Sequence, residues 1–129
     1  MPDMSWTLTL QVSGAASVTT SAGAVPVEAI DRVEVVVDAG AADQVVEIQP
    51  GAAAQVVLVH IRASEYSGDL SFKVTDGAND TDAIKLTEPQ IFTAGTIPLF
   101  QLAPKSLKLT NGGADPVTVE VVVARDATP

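Results

Sequence analysis

The densest group of oxygen-bearing side chains in this chain is Asp76-Gly77-Ala78-Asn79-Asp80-Thr81-Asp82, five in seven residues. Hard cations such as Ca²⁺ bind carboxylate, amide and hydroxyl oxygens, so Asp76, Asn79, Asp80 and Asp82 form a candidate ligand set. The spacing departs from the twelve-residue helix–loop–helix calcium loop. Glycine follows the first acid at once, and Thr87 stands at the twelfth position, where a bidentate glutamate belongs. A β-turn draws on the same residue types for backbone reasons, since Asp and Asn bond their own main chain and Gly supplies positive φ. The turn is the preferred reading and no metal is expected. Asn79-Asp80-Thr81 also fits the N-glycosylation sequon, which matters only in a secreted chain.

His60 is the one histidine. It sits in the apolar run Val56-Val57-Leu58-Val59-His60-Ile61 and shares an alternating face with Val56, Leu58 and Arg62. A general base or metal ligand is the functional reading of such a residue, and a partly covered strand residue the preferred one. A serine or threonine nucleophile needs that histidine or a lysine as activator, and neither occurs in a recognisable setting. Acids are plentiful, but none of their pairs is marked out by differing environments as an acid and a base would be. No glycine pattern follows a strand and opens a helix as a phosphate loop does. The expectation is a protein without catalytic residues or cofactor.

Apolar content says more than the polar motifs. Mean hydropathy is +0.29 with aromatics at only 4%, the excess residing in Val and Ala. One small sandwich has limited interior for that surplus, which points to contact with another subunit. Met4 and Trp6 near the N-terminus, with Ile91, Phe92, Ile97, Leu99 and Phe100 in a Pro-bounded stretch, are the interface candidates, because Trp, Phe and Met are favoured anchors. Each taken singly also suits an ordinary core.

Strands must position these residues. Trp6, Leu8, Leu10 and Val12 alternate with Thr and Gln as a half-buried strand does. Ser13 to Ala24 offers no periodic apolar face and reads as a long loop or weak edge segment. Between Val25 and Asp38 a helix competes with a strand; the β-branched residues from Ile30 to Val37 favour a strand over 32–38. Further strands are expected at 44–49, stopped by Pro50-Gly51, at 56–61, which is apolar enough to be covered on both faces, and at 70–74. Short ones follow at 83–86, 90–92 and 96–102, confined to edges or bends by Pro89, Pro98 and Pro104. The last two, 105–110 and 117–124, are expected to form a hairpin across Asn111–Pro116. About nine short antiparallel strands without a convincing amphipathic helix describe an all-β fold, a β-sandwich of jelly-roll type, with residues 1–5 as an N-terminal arm and 6–129 as one domain. Strand order is not legible.

The 129 residues suit one domain. With 7 Lys and Arg against 16 Asp and Glu the net charge is −9, and the first sixty residues hold Arg32 as their only base. Such a surface repels a phosphate backbone and anionic lipid, so neither nucleic acid nor membrane is an expected partner. The chain has no cysteine, which removes disulfides and thiolate zinc sites. The start Met1-Pro2-Asp3-Met4-Ser5-Trp6 lacks the basic, then apolar, build of a signal peptide, so synthesis in the cytoplasm is expected.

The C-terminal stretch Leu107-Lys108-Leu109-Thr110-Asn111-Gly112-Gly113, followed by Val117-Thr118-Val119-Glu120-Val121-Val122-Val123-Ala124-Arg125-Asp126-Ala127-Thr128-Pro129, resembles the ends of small tailed-phage virion proteins, the capsid decoration or cement proteins. The resemblance implies a β-sandwich that forms a homotrimer on the outside of an icosahedral shell, bound to the major capsid protein and stabilising it in the virion. It transfers no site motif. Two other readings differ in what they require. A carbohydrate-binding or adhesion sandwich would use the 76–82 loop for Ca²⁺ and stack sugar on Trp6 or Tyr66, against which the scarcity of aromatics counts. A tail or baseplate component would differ from a decoration protein chiefly in its gene neighbourhood.

Overall fold

The computed structural model describes residues 3–11, 13–14, 17–26, 29–48, 56–66, 68–93, 95–101 and 104–125. Ten antiparallel strands account for nearly all regular structure, and no α-helix occurs among the described residues. They are β1 Asp3–Leu10, β2 Val18–Pro26, β3 Ala29–Val37, β4 Gln44–Glu47, β5 Val56–Ala63, β6 Leu70–Thr75, β7 Ile84–Lys85, β8 Gln90–Thr93, β9 Ser106–Asn111 and β10 Val117–Arg125.

Eight strands build a sandwich. One sheet has the order β3-β10-β5-β8 and the other β4-β9-β6-β7. From β3 onward the chain changes sheet at every connection except β6 to β7, which is the wrapping of a double-sheet jelly roll. The all-β sandwich expectation is met. The inner faces follow from period-two alternation. Val117, Val119, Val121 and Val123 of β10 are buried, as are Leu107 and Leu109 of β9 and Leu70, Phe72 and Val74 of β6. One sheet thus presents mainly valines and the other leucines and a phenylalanine, a pairing of smaller with larger side chains that lets two faces interdigitate. Phe72 meets Phe92 edge-on, ring centroids 6.3 Å apart, and Phe92 meets Phe100 at 4.8 Å, so one aromatic row crosses from sheet to sheet.

Several local expectations change. Residues 3–5 belong to β1, and 18–24 of the segment read as a long loop or weak edge lie in β2, Val18–Pro26, an edge strand. It is paired to β1 from Leu10↔Val18 to Asp3↔Pro26 with one irregularity between Met4 and Trp6. Threonine and serine supply the β-propensity there that an apolar pattern does not. Of the contested 25–38 segment, 25–26 end β2 and β3 covers Ala29–Val37, so the strand expected at 32–38 begins earlier and stops one residue sooner. The expected strand at 96–102 is instead a 3-10 turn over Ile97–Phe100, its first bond donated by Leu99 N to Thr96 O at 2.9 Å; Pro98 has no N–H for a ladder. Residues 111–116 do not close a hairpin, because β9 and β10 lie in different sheets; they arch over the end of the sandwich. Alternation reports which face a residue takes, not which strand its neighbour pairs with, and this is why the arch and a hairpin look alike in sequence. The stop at Pro50-Gly51, Val12 and the tail from Asp126 to Pro129 lie outside the described residues.

The β1–β2 hairpin stands apart as a two-stranded sheet. It leans on the outer face of the β3-β10-β5-β8 sheet, where Met4 and Trp6 pack with Val57 against Leu58 and Ala124.

Candidate functional site

The acidic loop joins β6 to β7, and its Asp76 carboxylate is committed to the turn. Asp76 Oδ1 accepts from Ala78 N at 2.8 Å and Asn79 N at 2.6 Å, while Asp76 N donates to Asn79 O at 3.1 Å. These main-chain donors hold the Asp76 carboxyl below its usual pKa range, that of Asn79 most strongly. Gly77, at φ 99°, takes the left-handed conformation the turn needs. Asp80 Oδ2 accepts from Lys108 Nζ at 2.7 Å, which lowers the carboxyl and raises the amine. Thr81 Oγ1 accepts from Val74 N at 3.0 Å and donates to Asp82 O at 2.9 Å. Beside this loop lies an open hollow of about 500 Å³ whose walls include Asp82, Leu99, Phe100 and Gln101. No three carboxylate, histidine or cysteine groups among the described residues are placed to hold one metal ion.

The outer face of the β3-β10-β5-β8 sheet carries the other polar group. Glu120 is buried on β10 and joins both neighbouring strands: Arg32 Nε of β3 reaches Oε2 at 2.9 Å and Arg62 Nε of β5 reaches Oε1 at 2.8 Å. The hydrogen bond from Arg62 leads in holding the Glu120 carboxyl low, with Arg32 adding to it against the opposing cost of desolvation. Arg125 of β10 pairs with Asp31 of β3. No described buried side-chain nitrogen or oxygen lacks a partner.

His60 faces outward from β5, directly across from Ile91 of β8 and Val122 of β10. Burial lowers its pKa and the nearby Arg62 lowers it further, with Glu120 acting in the opposite sense. Its imidazole lies in a groove of about 440 Å³ between hairpin and sheet, lined by Trp6, Leu8, Pro89, Ile91, Thr93 and Thr96 among others. Val56, expected beside it, packs in the inner core, where the pairing of β5 with β10 is irregular at Ala124 and Arg125.

The interface candidates therefore divide. Ile97 and Phe100 are core residues, and Phe92 is partly buried against that core. Met4 and Trp6 anchor the hairpin; Ile91 and Leu99 are exposed. Structure brings Trp6 and Ile91, far apart in sequence, to one groove. Sequence reasoning missed Leu8, Leu10 and Val18 as surface residues, all exposed on the hairpin. Alternation placed the two leucines on the Trp6 face but could not show that they stay exposed. Tyr66 uses its hydroxyl to accept from Ala63 N at 2.9 Å.

No family model, curated protein or solved structure matches the chain.

Proposed function

We propose that this protein is a non-enzymatic virion structural module, a capsid decoration protein that assembles with copies of itself and binds the major capsid protein on the outside of an icosahedral shell. The observation that carries the reading is a jelly roll whose described buried polar side chains are all bonded and which leaves large apolar side chains uncovered, Leu8, Leu10, Val18 and Ile91 on and beside the hairpin and Ile30, Val36, Val45 and Leu99 elsewhere. Exposed apolar clusters on an otherwise polar domain mark protein–protein contact. The C-terminal resemblance supplies the kind of partner. The polar groups described above support the same reading, since they are spent on joining strands: Glu120 ties three of them and Asp76 shapes a turn. A jelly roll by itself is compatible with many tasks, so the fold alone does not choose among them.

The test is co-sedimentation. Purified protein is mixed with shells assembled from a major capsid protein encoded in the same genome. Saturable binding at a fixed ratio, with shells that then withstand more heat, is the expected result. Protein that stays in the supernatant at every ratio tried would refute the reading.

A further inference from the structure

The reading above offers the apolar hairpin two partners, a shell or a sibling copy. We propose that the β1–β2 hairpin is the surface through which copies of this chain join, Leu10 and Val18 at its end seating in the groove that Trp6, Leu8 and Ile91 line on a neighbouring copy.

Three observations point to a second copy. Leu8, Leu10 and Val18 form one continuous face of the hairpin: alternation puts Leu8 and Leu10 on the side of Trp6, and Val18 sits directly across from Leu10. Trp6 is half-buried by the body, whereas Leu8, Leu10 and Val18 remain 47%, 53% and 55% exposed. The apolar face therefore runs on past the surface that covers its first part.

Charge decides which partner suits it. From Met4 to Val27 the chain has no Asp, Glu, Lys or Arg, in a protein of net charge −9. An acidic module that docks on a different protein gains attraction and orientation from charge opposite a basic patch. Identical acidic copies have no such option and meet at least cost where neither carries charge. Twenty-four consecutive uncharged residues meet the requirement of an identical partner.

The third observation is the pair of open edges. Among the described residues β1 pairs only with β2 and β2 only with β1, so both outer edges present unpaired main chain, without the lysines that commonly guard an edge. An isolated two-stranded sheet is marginal, and a second copy gives it cover. Size agrees: stable interfaces engage about 20–30 residues a side, and the eight residues of β1 and nine of β2 with the groove rim approach that.

The experiment measures self-association of the full chain by sedimentation, apart from any shell. The wild-type chain is expected to sediment as an oligomer, and L10D/V18D is expected to weaken association on the order of tenfold or more, as loss of central interface anchors does. Both positions are half exposed, so folding should persist, and an unchanged circular dichroism spectrum with a cooperative melting transition would establish it. Val45→Asp, on β4 of the opposite sheet and 59% exposed, should leave the oligomer intact. Because the chain has no cysteine, a mixture of separately made Leu10→Cys and Ile91→Cys proteins gives an independent readout. Mild oxidation should link the two variants to each other, and a Val45→Cys and Ile91→Cys mixture should not. A wild-type monomer at the highest soluble concentration, or an L10D/V18D oligomer unchanged in mass, would overturn the proposal. A monomer that still binds shells would do so while leaving the decoration reading intact; an oligomer dissolved by L10D/V18D that binds no shells would do the reverse.

Discussion

At Asn111 three hydrogen bonds converge on a side chain with 1% exposure: Nδ2 donates to Val37 O at 3.1 Å and Asp115 O at 2.8 Å, and Oδ1 accepts from Gly113 N at 3.0 Å. One amide thus closes the arch between β9 and β10 and fastens it to the end of β3. The chemistry requires a donor and an acceptor on one short side chain, which asparagine has and aspartate does not. Asn111→Ala should cost about 2–3 kcal/mol, since it orphans buried main-chain groups. Asn111→Asp should cost more, because a carboxylate would then face two carbonyl oxygens. Urea titrations followed by circular dichroism read both, and equal stability of all three proteins would show that the amide is dispensable.

Among elements, the two sheets face each other through packed side chains and not through a hydrogen-bonded ladder, so the aromatic row carries much of their attachment. Phe72 of β6 is fully buried and touches Phe92 of β8, which in turn meets Phe100 of the 3-10 turn. Phe72→Ala would open a cavity between the two sheets, at a cost of about 3–5 kcal/mol. Phe72→Leu keeps most of the volume and should lose appreciably less. Thermal unfolding of the pair separates packing from mere apolarity, and equal melting temperatures would contradict this account. The 3-10 turn owes its place to the same row: Ile97 and Phe100 point into the core, while Leu99 between them is 78% exposed.

For the whole molecule the controlling variable is pH. Asp76, Asp80 and Glu120 all have carboxyls held below the ordinary range by hydrogen bonds from main-chain N–H groups, Lys108 and Arg62 respectively. The unfolded chain therefore takes up protons first, near pH 4, and stability falls as pH drops through and below that value. His60, lowered by burial, adds an earlier step of the same sign. The unfolded imidazole protonates near pH 6.5 while the folded one resists, so stability begins to decline below that pH. Denaturation midpoints should hold level from about pH 9 to 7, dip slightly near pH 6 and drop steeply below pH 4. His60→Gln should remove the upper step and Glu120→Gln should flatten the lower one. Midpoints that rise on acidification would contradict the assignment.

Taken alone, the amino-acid order determined what local chemistry can determine. Alternation in Leu70-Ser71-Phe72-Lys73-Val74 and in Val117 to Val123 specified strands and their buried faces, and Asp76-Gly77 specified a turn, because both signals act within a few residues. The same alternation marked Trp6, Leu8 and Leu10 as one apolar face. Tertiary structure decided everything that depends on which strand lies beside which. It turned 111–116 from a hairpin into an arch, put Ile97 and Phe100 in the core, and joined Arg32, Glu120 and Arg62 across three strands. It also decided which part of the hairpin the body covers. Trp6 is half covered there and Leu10 is not, for the physical reason that burial belongs to the neighbour a face meets and not to the residue that presents it.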